Sequence, residues 1–165
     1  MTVPGTGALS PGEIDGLLQG TAVARLATID PDGYPSIVPV WIEWDGATVW
    51  IVGRAAADYV ANLRRNPRVG VSVVDPADAD RRVEIRGRAS VADGPGPLGG
   101  RMLDLARAMA ERHEGVAGLA YIEESRAWPR VLVAVNPTSI RSWGSPDWHP
   151  RYRRPPPGRR RSPTP

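Results

Sequence analysis

The sequence predicts a mainly β protein of the α+β class: a six- to seven-stranded antiparallel barrel with two or three flanking helices. Three observations predict it. Asp32-Gly33 and Asp45-Gly46 are hairpin-turn signals set between short β-prone stretches. Residues 82 to 91 alternate strictly, with Val83, Ile85, Gly87, Ala89 and Val91 on one face and Arg82, Glu84, Arg86 and Arg88 on the other. Helical patterns are too few and too irregularly placed for the strand–helix–strand rhythm of a parallel sheet.

In chain order, Ser10-Pro11-Gly12-Glu13 has the form of a capping box with proline at the first helical position, and Ile14, Leu17 and Leu18 supply one apolar face. Thr21 to Asp30 reads as a strand, Ser36 to Trp44 as a second and Thr48 to Val52 as a third. Turns this short make them an antiparallel meander, with Trp44 and Trp50 expected to pair across Asp45-Gly46. Ala56 to Arg65 is a helix ended by Asn66-Pro67, because proline disfavours helical geometry in the residue before it. Val69, Val71 and Val73 mark a strand, and the alternating run at 82 to 91 marks the next. Gly87 is expected where the barrel bends or another backbone comes close. The glycine- and proline-rich stretch Asp93 to Gly100 reads as a loop, and Leu98 to His113 as an amphipathic helix. Trp128 to Val135 is a buried strand broken by Asn136-Pro137, with a last short strand at Ser139 to Trp143. The implied organisation is an arm over residues 1–10, a domain over 11–143 and an extended or disordered Arg/Pro-rich tail over 144–165.

There is no cysteine, hence no disulfide, thiolate ligand or thiol nucleophile. The first residues lack the charged and apolar segments of a signal peptide, so a cytoplasmic location is expected. The formal charge of +3 conceals six arginines in residues 151–165, a stretch without acids, so residues 1–150 carry −3. Prolines among those arginines prevent a helix, and only Tyr152 interleaves for base stacking, so neither a nucleic acid nor a membrane is the expected partner. Every basic residue is arginine; there is no lysine.

Hydrolytic and metal chemistry find no support. His113 and His149 are the only histidines, and neither has metal-ligand spacing to a second ligand. No G-x-S-x-G elbow is present, and the glycines between Gly94 and Gly100 lack a phosphate-loop pattern. No catalytic side chain and no metal ligand is therefore nominated. A chain of this kind acts as an enzyme when a bound cofactor supplies the reactive atom and the protein supplies its placement.

From about residue 13 to 143 the order of features resembles the pyridoxamine 5'-phosphate oxidase-like split β-barrels, in their flavin and deazaflavin oxidoreductase branch. The resemblance rests on Ala24-Arg25-Leu26-Ala27-Thr28 with Asp32-Gly33-Tyr34-Pro35, on Val38-Pro39-Val40-Trp41, on Asn62 to Val69, on Val83 to Ala89, and on Ser142-Trp143-Gly144. It implies a homodimer with the cofactor between protomers, and a binding set of Pro39, Trp41, Val52, Gly53, Arg54, Ala57, Asp58, Tyr59, Asn62 and Trp143. The implied cofactor is the deazaflavin coenzyme F-420, passing a hydride to a conjugated small-molecule substrate. FMN on the same fold is the alternative, followed by a heme or tetrapyrrole binder or a cofactor-free module.

The turn after Val52 ends a strand and begins a helix, so its free N–H groups suit a phosphate, and Arg54 adds a fixed charge. Arg54 is equally compatible with a solvated loop arginine, and Asn62 with a bond inside its own helix. The family's serine-arginine-lysine run falls here on Ala57, Asp58 and Tyr59. Three outcomes remain open on sequence alone: Arg54 and the helix start suffice, Arg86 or Arg88 substitutes for the lysine, or cofactor binding is lost.

Overall fold

The computed structural model describes residues 8–144. The tail and the first part of the arm lie outside the described residues. The elements are α1 (Pro11–Leu18), β1 (Ala24–Ile29), β2 (Pro35–Val40), β3 (Glu43–Trp44), β4 (Val49–Arg54), α2 (Asp58–Arg65), β5 (Arg68–Val74), β6 (Arg82–Gly96), α3 (Gly100–Glu124) and β7 (Arg130–Trp143). One antiparallel sheet of seven strands runs β2-β1-β5-β6-β7-β4-β3, the split barrel expected from the sequence. β2 and β3 adjoin in sequence but stand at opposite ends of that order, so the sheet curls until its two edges approach.

The expected three-strand meander is therefore wrong at one point. The chain breaks at Trp41-Ile42, β2 stays with β1, and β3 pairs with β4 instead. Trp44 and Trp50 do not pair, because Glu43 lies opposite Trp50 and Trp44 opposite Val49, which sends the two indoles to opposite faces. Trp44 is buried and its Nε1 donates to Asp15 Oδ1 of α1 at 2.7 Å, while Trp50 Nε1 donates to Asp45 Oδ2 at 2.6 Å.

Alternation puts Leu26, Val49, Ile51, Val71, Val73, Val83, Ile85, Val131, Val133 and Val135 into the barrel core. α1 closes one end with Ile14, Leu17 and Leu18, held by the capping box that the sequence predicts. α2 contributes Tyr59, Val60 and Leu63, and its Asn62 donates to Thr28 Oγ1 at 3.2 Å, both side chains buried.

Two expected breaks are continuous strand. β6 runs on through Asp93 to Gly96, with register shifts after Val91 and Asp93 that absorb the irregular residues. β7 crosses Asn136-Pro137 without ending, because the register shifts between Arg86 and Gly87, so the proline falls at a bulge where its missing N–H breaks no regular rung. Gly87 is buried there with the Asn136 backbone against it.

The expected helix at 98–113 is half of a larger feature. α3 is interrupted at Gly115 (φ 61°, ψ −137°), where the chain reverses. Sixteen residues of straight helix would span about 24 Å, yet Arg107 and Glu123 form an ion pair. The resulting hairpin carries Leu98, Met102, Leu103, Ala106, Ala110 and Ile122 onto Leu132, with Trp41, Trp50 and Val52 packed against them. This is a second apolar cluster on the outside of the barrel wall.

A Cβ on Gly87 would stand 2.7 Å from the Asn136 carbonyl oxygen and 2.9 Å from Val135 Cγ1. Gly87→Ala should therefore destabilise the fold by about 1–3 kcal/mol through overpacking at the bulge, read as a lower midpoint in thermal denaturation.

Candidate functional site

Between the barrel wall and the α3 hairpin lies a cavity of about 430 Å³. β2 and the Trp41 corner form one side with Pro39, Val40 and Trp41, β4 and the turn after it contribute Val52, Gly53, Arg54 and Ala57, and the hairpin roofs it with Ala106, Met109, Tyr121 and Ile122. Small-molecule sites are concave, largely apolar and roughly 300–1,000 Å³ in volume, with a few placed polar groups. This cavity matches that description.

The polar groups gather at one end. Arg54 at the end of β4 and Arg130 at the start of β7 are direct cross-strand partners. Like charges facing each other across a rung repel, and the Tyr121 hydroxyl lies between them, accepting from Arg54 Nη2 at 3.2 Å and from Arg130 Nη2 at 3.1 Å. Arg130 also donates to the buried Ser125 Oγ at 2.9 Å. The Trp128 ring adds a π face 5.5 Å from the Arg54 guanidinium and 5.9 Å from that of Arg130. These donors hold the Tyr121 phenol below its ordinary pKa, the Arg130 bond first and the Arg54 bond second.

Tyr59, where the resemblance expects a lysine, is a packing residue. Its ring is buried beneath β4, with its hydroxyl occupying the place a Cβ on Gly53 would take. Burial raises its pKa, against the opposing charge of Arg130. Glycine at 53 and tyrosine at 59 are thus one packing arrangement.

Of the residues nominated from sequence, Pro39, Trp41, Val52, Gly53, Arg54, Ala57 and Tyr59 line this cavity. Asp58, Asn62 and Trp143 do not. Asp58 is exposed in the first turn of α2, and Asn62 points into the barrel core toward Thr28. Trp143 lies at the far end of β7, opposite Arg82, whose guanidinium sits 4.8 Å from its ring. Arg86 and Arg88 line a different groove on the β5–β6 face. Arg130 and Tyr121 were missed. Arg130 opens the dense apolar run Val131 to Val135, a signal that one charge was being carried into a buried strand. Nothing in the local sequence of Tyr121 marks it, because the reversal at Gly115 is what brings it back to β7. Behind the cavity, His113 stacks on Trp41 with ring centroids 5.1 Å apart and planes within 2°. Burial, then the neighbouring Arg112, lowers its pKa. Among the described residues no cluster of three or more metal-ligating side chains occurs, and no helix is long and apolar enough to cross a membrane.

The family profile of pyridoxamine 5'-phosphate oxidase matches residues 10–144. The chain belongs to that family. Among solved structures, an F-420 reductase is 29% identical with a TM-score of 0.58, the match covering 76% of this chain and 94% of the other. A conserved hypothetical protein from Mycobacterium tuberculosis is 27% identical with a TM-score of 0.67, covering 82% and 85%. HutZ, the heme storage protein of Vibrio cholerae, shares the fold at 20% identity and a TM-score of 0.61, covering 81% and 95%. No curated protein matches the sequence. Membership of the pyridoxamine 5'-phosphate oxidase family supports a flavin-related enzyme.

The two cavity tyrosines should titrate on opposite sides of the ordinary phenol value, Tyr121 below it and Tyr59 above it. In a spectrophotometric titration, Tyr121→Phe should remove the earliest part of the phenolate absorbance rise and Tyr59→Phe the latest. Because its folded pKa is depressed, Tyr121 contributes stability that is present above the unfolded phenol pKa and lost as pH falls through the folded one. Tyr59 contributes the reverse.

Proposed function

We propose that the chain is an oxidoreductase that uses reduced deazaflavin coenzyme F-420 to transfer a hydride to a conjugated small molecule, with the cofactor head in the cavity beneath the α3 hairpin. The observation that carries this reading is the pairing of an apolar, tryptophan-sided cavity with a cationic end and no acid–base dyad or metal cluster among the described residues. Such a site binds and positions; it leaves the redox step to a ligand. The likeness to an F-420 reductase supports the deazaflavin over FMN, which the same walls would also admit.

The residues present fit a phosphorylated ring system. Pro39, Trp41 and Val52 offer flat apolar contact to its faces, and Gly53 lines the cavity beside them. Arg54 ends β4 three residues before the N-cap of α2, and that N-cap, Ala57, makes no side-chain capping bond. When bound, the reduced deazaflavin supplies a hydride. The chain's part is to hold the ring against the Trp41 wall, to exclude water with Ala106, Met109 and Ile122, and to anchor the charged end at the arginines.

The homodimer is part of the proposal. Ile37 and Tyr34 at the β2 edge are 63% and 71% exposed, an edge that a second copy would cover. Trp143, remote from its own cavity, would then be available to the partner's.

Protein purified from a deazaflavin-producing host should carry the deazaflavin absorbance, with the released cofactor identified by mass. Stoichiometric FMN would overturn the choice of cofactor, a Soret band would favour a tetrapyrrole, and a colourless protein that takes up neither cofactor would favour a binding module. Arg54→Ala should weaken cofactor binding about ten- to a hundredfold, as expected for one charge-assisted hydrogen bond, with the apo thermal midpoint nearly unchanged because Arg54 is exposed. Sedimentation at micromolar concentration should give a dimer; a strict monomer would contradict the shared site.

A further inference from the structure

Arg130 is a buried guanidinium without a counter-charge. The residue is 6% exposed, its side-chain partners are the neutral hydroxyls of Tyr121 and Ser125, and its Nε has no partner. Among the described residues no carboxylate lies within ion-pair range of Arg130 or Arg54. A desolvated cation of this kind is costly to fold unless something pairs it. Both arginines line the same cavity, and both donate to one phenol oxygen. That oxygen accepts twice, so the Tyr121 proton remains free to donate.

We propose that Arg130, Arg54 and Tyr121 form a binding site for a phosphoryl group, in which recognition of the anion has moved from the first turn of α2 to strand β7 and the α3 hairpin. Two guanidiniums and a phenolic O–H present donors from three directions, which suits the tetrahedral oxygens of a phosphoryl group better than a single planar carboxylate. The missing lysine is thereby accounted for. A cation at position 59 would be buried in the field of Arg130, which already bears on the Tyr59 hydroxyl, whereas Arg130 reaches the same end of the cavity from the facing strand. Because Tyr121 belongs to the hairpin and the arginines to the barrel wall, a phosphoryl group bound here also ties the roof of the cavity to its floor.

The anion site rests on the preceding functional reading only for the identity of the molecule that carries the phosphoryl group. It is tested with inorganic phosphate and pyrophosphate by isothermal titration of the full chain, followed by FMN, coenzyme F-420 and riboflavin, the last presenting the flavin ring without a phosphate. Wild type should bind pyrophosphate and prefer FMN to riboflavin. Arg130→Gln should lose at least roughly tenfold in affinity for the phosphorylated ligands and Tyr121→Phe roughly three- to tenfold, each with a smaller loss for riboflavin. Arg130→Lys should recover part of the loss. If Arg130→Gln fails to fold, Tyr121→Phe and Arg54→Gln decide, since Arg54 is exposed and Tyr121→Phe keeps the partly buried ring. Binding of FMN or F-420 that is indifferent to these substitutions and to competing pyrophosphate would overturn the anion site while leaving the cofactor reading standing. Pyrophosphate binding that the substitutions abolish, in a protein that takes up no flavin or deazaflavin, would keep the site and remove the cofactor reading.

Discussion

The long antiparallel pairing of β6 with β7 is the constraint on which the remaining structure hangs. It spans Arg82↔Trp143 at one end to Gly96↔Arg130 at the other, farther than a flat sheet of ordinary strands would reach. β5 joins one side of this ribbon and β4 the other, so the ribbon has to bend for the two flanks to enclose one core. Gly87 permits the bend, because the Asn136 backbone occupies the place of a side chain there. With the bend in place, Val83 and Ile85 face the same interior as Val133 and Val135.

The same ribbon determines where charge is carried inward. β7 begins at Arg130, and its register with β4 puts that residue opposite Arg54. Moving either strand by one residue would turn one of the two arginines to the other face, since side chains alternate with a period of two. The electrostatic end of the cavity is thus a by-product of the pairing that buries Val131, Val133 and Val135. Tyr121 and Ser125 relieve part of the cost with neutral hydroxyls, and the hairpin that brings them also roofs the apolar part of the cavity.

The hairpin depends on Gly115, whose positive φ an L-residue adopts only with strain. Next to it, a Cβ on Gly118 would run into the Ala110 carbonyl, so the two arms approach closely. Its stability comes from the apolar cluster around Met102, Ala106 and Ile122 and from the ion pair of Arg107 with Glu123. Exposed pairs of that kind contribute little, so packing on Leu132, Trp50 and Val52 carries most of the hold. That packing makes the cavity roof a feature of the folded whole.

Local rules made much of the chain legible from its sequence. The capping box at Ser10, the alternation at 82–91, the Asn66-Pro67 stop and the inward glycine at 87 each express an interaction between residues close in sequence, or a steric limit of a single residue. The family resemblance extended that reading to one wall of the cavity, Pro39, Trp41 and the Val52 to Tyr59 turn. What escaped depended on distance along the chain. The break at Trp41-Ile42 follows from the sheet curling on itself, the continuity of β7 through Pro137 from a bulge at Thr138 in its pairing with β6, and the meeting of Arg130 with Arg54 and Tyr121 from strand register together with the reversal at Gly115. By itself the sequence determined most element types, the strand faces and the family; tertiary structure decided how far β6 and β7 run, which strand edges meet and which charges share a cavity, because those outcomes are set by pairing between segments that only the folded chain brings together.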